Sequence, residues 1–404
     1  MSPSRSFLTA LATNGLSEIV QKLSRVAVIL VVARVMEAEA IGLAAAAIAA
    51  GDILKSFTEN GVVQRIIAAS ARDLPGVVAT GRRLFTGWCV ALFGLQCGVA
   101  ACIWAWTGGA LVPLMMGLLA LEYLVMPAGI VNCALAMRAG KLTGTAAVAG
   151  GQVVAANIAT ALMAAIWPVP MALILPRVLT APLWLWGMRR LHPVRIMGDT
   201  RAPVAPFVGF GACILGSEIV KALRLQIDKL LIGLLLGAEA LGIYFFAFNA
   251  GLGLATSASV AFARVVFPRI AQAADRGGAA REATWLATCL TAPVIIAQAL
   301  LAPVYVPLLF GEDWAFISDT VSILCLAALP AMLWSGTAQW YRAEDRPGVE
   351  FRVTLVMTCA LAASTWLLAP HGIEAIAWGY LAVSTVIQLA ASLPLIAPRS
   401  LRSA

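Results

Sequence analysis

The sequence predicts an all-α polytopic membrane protein of about 12 transmembrane helices, arranged as two parallel-repeat bundles of six. Composition is the first observation, because the 404 residues are 61% hydrophobic and only 12% charged, whereas about a quarter of the residues in soluble domains are charged. The second observation is the recurrence of apolar runs of about 20 residues, the length that crosses a bilayer. The third is an internal repeat. Because of the composition and the apolar runs, the excess apolar surface must face lipid.

Twelve apolar segments are candidate transmembrane helices, six in each half of the chain. Those of the first half are Leu16–Val35, Ile41–Phe57, Leu84–Trp106, Leu111–Met137, Ala146–Trp167 and Val169–Met188. Those of the second half are Phe207–Leu236, Leu241–Phe262, Trp285–Leu308, Ile317–Trp340, Val353–Ala369 and Ile373–Ile396. The connections between them are short.

The basic residues test this segmentation independently. If the N-terminus is cytoplasmic, the cytoplasmic segments hold 20 of the 28 Lys and Arg residues, and the outer segments hold only Arg34. The 20 are Arg5, Arg65, Arg72, Arg82, Arg83, Arg138, Lys141, Arg189, Arg190, Arg195, Arg201, Arg264, Arg269, Arg276, Arg281, Arg342, Arg346, Arg352, Arg399 and Arg402. Cytoplasmic loops of membrane proteins carry this excess. We therefore expect both termini to be cytoplasmic.

The two halves of the sequence resemble each other at a constant offset of 200 residues. From Ser17 to Gly51, 13 of 35 positions are identical to their counterparts, without a gap. Because each half has an even number of spans, the halves should be parallel repeats about an axis along the membrane normal. We expect bundles at residues 1–195 and 196–404 that enclose a cavity lined by the first and seventh spans.

Ionisable side chains inside spans are costly and usually face a bundle interior or a cavity. The seventh span carries a stripe of them at helical spacing: Glu218, Lys221, Arg224 and Asp228. The first span carries a similar set: Glu18, Gln21, Lys22 and Arg25. In the second span, Asp52, Lys55 and Glu59 share one helix face. With Lys229 of the seventh span included, these three helices present mixed charge with a basic excess.

Two interpretations of these charges are open. In the first, Arg25, Lys55, Lys221 and Arg224 form a cationic site for an anionic headgroup such as a pyrophosphate, and Glu18, Asp52, Glu218 and Asp228 support or couple it. In the second, the charges pair with one another and specify helix packing. Glu122 and Arg177, single charges in the fourth and sixth spans, are either functional or paired within their own half.

The sequence does not predict an enzyme. It lacks a Gly-rich phosphate loop, a nucleophile elbow and a His–carboxylate metal motif. Its eight cysteines lie in or beside apolar runs without a C-x-x-C motif, which is typical of small packed residues. We therefore expect no catalytic residues, metal or cofactor.

Two stretches resemble a known family. Asp228-Lys229-Leu230-Leu231-Ile232-Gly233, then Leu236-Gly237 and Leu241-Gly242-Ile243-Tyr244, resembles the signature of the polysaccharide transporter family. The stretch from Ile41-Gly42 through Asp52-Ile53-Leu54-Lys55 to Glu59-Asn60-Gly61 is similar to it as well. This family comprises Wzx-type oligosaccharide flippases of the multidrug/oligosaccharidyl-lipid/polysaccharide (MOP) exporter superfamily. The specific motifs cover about two spans of each half.

The resemblance implies a V-shaped fold of two bundles in a bacterial inner membrane. It implies a transporter that flips an undecaprenyl-pyrophosphate-linked oligosaccharide to the periplasmic leaflet for O-antigen, capsule or exopolysaccharide synthesis, with the polymerase and chain-length machinery of that pathway as further partners. The chain departs from lipid II flippases, which have fourteen spans. A drug or organic-cation antiporter of the same superfamily is the alternative, although its cavity should be acidic. A polysaccharide polymerase or ligase is a weaker one, because it needs a large periplasmic loop.

The orientation can be tested at the acidic connection between the ninth and tenth spans. Both termini are expected in the cytoplasm, so a cysteine introduced between Gly311 and Ser318, in a background without native cysteines, should react with a membrane-impermeant maleimide added to intact cells. Reaction only after the inner membrane is permeabilised would overturn the topology.

Overall fold

The computed structural model describes residues 20–21, 23–193 and 202–396, and the part of the chain that it describes is built from helices. Residues 23–35 lie in the first helix, α1. The next seven are α2 (Ala38–Ser56), α3 (Val62–Ala68), α4 (Leu74–Thr107), α5 (Leu111–Ala120), α6 (Glu122–Arg138), α7 (Leu142–Ile166) and α8 (Leu175–Leu191). The last six are α9 (Ala205–Gln272), α10 (Arg276–Phe310), α11 (Ser318–Leu326), α12 (Ala328–Ala343), α13 (Pro347–Leu368) and α14 (Ile373–Ile396).

The described helices coincide with most of the predicted spans. Nine segments of the described residues are long and apolar enough to cross a membrane. One of them, Ile214–Gly253, contains the seventh span and the start of the eighth, and α1 and α2 contain most of the first and second. The prediction of an all-α polytopic membrane protein is therefore confirmed.

The internal repeat is visible where the helices break. Between α1 and α2 the backbone leaves helical geometry at Glu37, which has extended dihedral angles of −72° and 151°. The equivalent position 200 residues later is Gly237, where α9 is interrupted at φ 88° and ψ 179°. A side chain is strained at that positive φ, which explains glycine at the second position. Each half thus separates its first two spans at the same point of the repeat.

Several helices are longer than the predicted spans. The helix predicted at Leu84–Trp106 begins at Leu74, with Pro75 in its first turn, and the helix predicted at Trp285–Leu308 begins at Arg276. The Asp275 side chain accepts a hydrogen bond from the Gly278 amide and caps the second of these. Hydropathy marks only the apolar part of a helix, so these N-terminal extensions, which contain Arg82 and Arg83 in α4 and Arg276 and Arg281 in α10, were not predicted.

The chain divides into two compact units, Met1–Ala222 and Leu223–Ala404. The predicted division after residue 195 falls outside the described residues and stays a prediction. The start of α9 belongs to the first unit because Phe207 packs in the core formed by Ile66, Phe85 and Tyr123. In the second unit, α10 and α12 share a core that includes Ala280 and Ala343.

Close packing of α10 on α12 depends on Gly336, because a Cβ there would lie 2.9 Å from the Cβ of Thr284. We expect Gly336→Ala to cost about 1–3 kcal/mol of unfolding free energy, since neither helix backbone can yield freely. The measurement is the thermal unfolding midpoint in detergent. Gly94→Ala is the matched control, because the space around Gly94 in α4 is open and alanine favours a helix. Equal midpoints for the two variants would contradict the packing argument.

Candidate functional site

A cluster of four alternating charges lies inside the first unit. The Arg177 guanidinium donates to the Asp52 carboxylate at 2.7 Å (Nη2 to Oδ1) and contacts the Glu122 carboxylate at 2.9 Å (Nε to Oε1). The other Glu122 oxygen accepts from the Lys55 ammonium. The four side chains therefore form one continuous chain in the order Asp52, Arg177, Glu122, Lys55, which we call the ion-pair cluster.

Three helices position the ion-pair cluster. Asp52 and Lys55 lie three residues apart on α2, so their side chains share one face. Glu122 is the first residue of α6, and Arg177 lies in the first turn of α8. Glu122 and Arg177, which the sequence left open as functional or paired, are thus paired within their own unit.

The surroundings of the ion-pair cluster are polar but already satisfied. Tyr123 donates a hydrogen bond to Gln96 at 2.9 Å, and the Gln96 amide donates to the Met116 carbonyl at 2.7 Å. A narrow pocket, with room for about one water molecule, lies beside three members of the cluster. It is lined by Gly51, Lys55, Gln96, Leu119, Glu122, Tyr123 and Arg177. The pocket is too small for a large ligand, so a headgroup could reach the cluster only through its more exposed members, such as Lys55.

The remaining predicted residues of the first unit lie around this cluster. Arg25 on α1 is exposed at the surface of the unit and has a favourable electrostatic interaction with Asp52. Lys221 donates to Glu218 at 2.7 Å, one turn earlier on α9. Glu59, just after α2, is attracted by Lys55 and repelled by Glu218. Glu18 and Lys22 lie outside the described residues.

A second cluster is buried in the second unit around Asp228, which is only 1% exposed. One carboxylate oxygen accepts from the Tyr244 hydroxyl at 2.9 Å, and the other accepts from the Lys229 amide at 2.9 Å. The Lys229 ammonium lies 3.4 Å from the same carboxylate, donates to the Leu225 carbonyl at 2.6 Å and sits 3.8 Å from the centre of the Phe248 ring. Ring and carboxylate together stabilise the buried ammonium.

Asp228 is therefore bound by Tyr244 and Lys229, and within the described residues Arg224, one turn earlier on α9, forms no ion pair with it. Arg224 is half-buried and interacts electrostatically with Tyr380 of α14, whose ring packs edge-on against Phe248. Asp228 is buried inside the second unit, and its predicted role beside a substrate cavity stays a prediction.

Sequence reasoning missed three aromatic partners of Asp228 and Lys229: Tyr244, Phe248 and Tyr380. Tyr244 lies 16 residues after Asp228, on the next predicted span, but the order of the spans does not indicate which of their side chains meet. The motif therefore included Tyr244 but did not predict its hydrogen bond to Asp228.

The sequence profile of the polysaccharide biosynthesis protein family matches residues 31–319, well over half of the chain. The chain belongs to this family. The matched region contains all four residues of the ion-pair cluster, and also Asp228, Lys229 and Tyr244.

Two relatives of this family member are named for polysaccharide synthesis. The teichuronic acid biosynthesis protein TuaB of Bacillus subtilis (strain 168) is 26% identical over 208 residues, which are 50% of this chain and 43% of TuaB. The lipopolysaccharide biosynthesis protein WzxC of Escherichia coli (strain K12) is 24% identical over 249 residues, 59% of this chain and 50% of WzxC. The chain spans about half the length of these relatives.

Solved structures of MOP superfamily transporters share the fold. The lipid II flippase MurJ in an inward closed conformation has a TM-score of 0.77 at 12% identity, covering 96% of this chain and 87% of MurJ. An inward-facing multidrug resistance transporter of the MATE family has a TM-score of 0.70 at 13% identity, covering 95% and 97%. The family member therefore has the fold of MOP superfamily transporters, as the sequence predicted.

The Tyr244–Asp228 hydrogen bond can be tested by deleting one hydroxyl. Tyr244→Phe should lower the unfolding free energy by about 1–3 kcal/mol, because it removes a donor from a buried carboxylate. The measurement is again the thermal midpoint in detergent. Tyr341→Phe is the control, since its ring is also buried and its hydroxyl makes no hydrogen bond within the described residues. An unchanged midpoint for Tyr244→Phe would show that the bond contributes nothing.

Proposed function

We propose that this protein is a transporter that flips a polyprenyl-pyrophosphate-linked oligosaccharide repeat unit from the cytoplasmic to the periplasmic leaflet of a bacterial inner membrane. The product would be used for O-antigen, capsule or exopolysaccharide synthesis. The observation that carries the proposal is a charged site on membrane-spanning helices of a polysaccharide biosynthesis family member. In that site Arg177 pairs with both Asp52 and Glu122, and these carboxylates also interact with the more exposed cations Arg25 and Lys55.

The chemistry of the substrate explains why cations are needed inside the membrane. A diphosphate cannot cross hydrocarbon bare, because a buried unpaired anion is prohibitively costly. Arginine offers a planar pair of donors that matches two phosphate oxygens, and lysine offers a compact positive charge. We assign headgroup binding to Arg25, Lys55 and Lys221 in the first unit and to Arg224 in the second. Asp52, Glu218 and Asp228, with Glu18, would support these cations or couple transport to ions.

The direction of transport fits the membrane potential. The cell interior is electrically negative, so outward movement of an anion is favoured by about 2.3 kcal/mol per charge per 100 mV. The polyprenyl tail can remain in lipid while the headgroup and sugars cross. The substrate thus needs a polar route only for its headgroup and its oligosaccharide.

The likeness to a multidrug transporter of the MATE family supports a second candidate, an organic-cation antiporter. The two functions require opposite charge, since a cationic drug would be repelled by Arg25 and Arg224. Proteoliposomes that accumulate ethidium but do not flip a fluorescent polyprenyl-diphosphate-linked sugar would favour the antiporter.

Replacement of the proposed binding arginines tests the cationic site directly. In proteoliposomes with a fluorescent polyprenyl-diphosphate-linked sugar, Arg224→Gln and Arg25→Gln should each slow flipping at least about tenfold, because a charge-assisted bond to phosphate is lost. Arg224→Lys and Arg25→Lys should also fail to complement a flippase-deficient strain at normal protein abundance, since lysine lacks the bidentate fork.

Arg352→Gln is the matched control, because Arg352 is exposed on α13 and donates only to the Gly348 carbonyl within the described residues. Its flipping rate should equal that of the wild type. If folded Arg224→Gln flips at the wild-type rate, Arg224 does not bind the headgroup.

A further inference from the structure

Glu122 is held by two cations at once. One carboxylate oxygen binds Lys55 and the other lies 2.9 Å from Arg177. The side chain is 8% exposed, so an unpaired charge there would be costly, whereas Lys55 is 37% exposed and reachable from outside the cluster. The two partners of Glu122 therefore differ. Lys55 can leave Glu122 and bind another anion, whereas Arg177 stays paired inside the cluster.

Asp52 is shared in the same way. Its Oδ1 accepts from Arg177 at 2.7 Å, and it also interacts electrostatically with Arg25, which is exposed on α1. Arg177 thus touches both carboxylates of the cluster, one through Nη2 and one through Nε. A guanidinium can do this because its donors point in fixed, diverging directions, whereas an ammonium is a point charge.

We propose that Arg177 is a positioning residue for anion binding. Its guanidinium stays paired with Asp52 and Glu122 while Arg25 and Lys55 leave these carboxylates and bind a diphosphate. The inference rests on the proposed function and adds a specific role for a residue that touches no substrate. Without Arg177, Glu122 would keep Lys55 as its sole partner, because releasing it would leave a buried carboxylate bare. With Arg177 present, Glu122 keeps one partner when Lys55 leaves it, so Lys55 can bind phosphate in place of Glu122 at little cost.

The same argument predicts opposite effects for two variants. Arg177→Gln should weaken diphosphate binding, because Lys55 is then held by Glu122. Glu122→Gln should strengthen it, because Lys55 no longer has a carboxylate competitor. A residue that merely stabilised the fold would weaken or preserve binding in both variants and would not make binding tighter in one.

The experiment measures the dissociation constant of farnesyl diphosphate with the full-length protein in detergent, by calorimetry, with inorganic pyrophosphate as a competitor to separate headgroup from tail. We expect binding about tenfold weaker for Arg177→Gln and about tenfold tighter for Glu122→Gln, the effect of one nearby charge at intermediate dielectric. The double variant Arg177→Gln with Glu122→Gln should regain wild-type binding or better. Arg177→Lys should weaken binding at a normal unfolding midpoint.

Glu350→Gln is the matched control, because it also removes one carboxylate from an arginine pair, here with Arg342 at 2.5 Å and 2.6 Å. It should leave the dissociation constant unchanged. If the wild type does not bind farnesyl diphosphate at all, the proposed function fails. If the wild type binds it but Glu122→Gln does not bind it more tightly, only the role of Arg177 is refuted; that outcome can be read even if Arg177→Gln fails to fold.

Discussion

A charged side chain inside a membrane has to be paired, and Arg177 meets this constraint for two carboxylates at once. Its guanidinium reaches Asp52 on α2 and Glu122 on α6 from the first turn of α8, so three helices are joined through one residue. A buried carboxylate without a partner would cost several kcal/mol. The geometry of the first unit therefore depends on this bridge, and the accessible cations Arg25 and Lys55 are arranged around it.

The second unit meets the same constraint with different chemistry. Asp228 and Lys229 are adjacent in sequence and both almost fully buried, and they are stabilised by a tyrosine hydroxyl, a backbone carbonyl and the face of Phe248. Arg224, one turn earlier, lies beside Tyr380 instead of a carboxylate. The two halves repeat in sequence, but one neutralises its carboxylates with cations from three helices and the other with an adjacent lysine and aromatic residues.

This difference separates two kinds of charge that look alike in sequence. Asp228 and Lys229 are enclosed and fully bonded, which is what specifies a fold. Arg25 and Lys55 share their carboxylates with Arg177 and remain partly exposed, which is what an exchangeable binding site requires. The pairing interpretation therefore describes Asp228 and Lys229, whereas Arg25 and Lys55 belong to the proposed headgroup site. A headgroup that is itself a diphosphate fits the second set, because it can replace a carboxylate with a similar arrangement of oxygens.

The sequence by itself determined the fold class, the helices and the repeat, because hydropathy, helix-breaking positions and the charges between spans act locally along the chain. Even the break at Gly237, the counterpart of position 37, could be located from the 200-residue offset. The partners of the charges were decided only by the tertiary structure. Glu122 and Arg177 are 55 positions apart, and Arg177 and Asp52 are 125 apart, so no periodicity relates them. Helix packing brings them within hydrogen-bonding distance, and this packing determines which cations are retained and which are exposed.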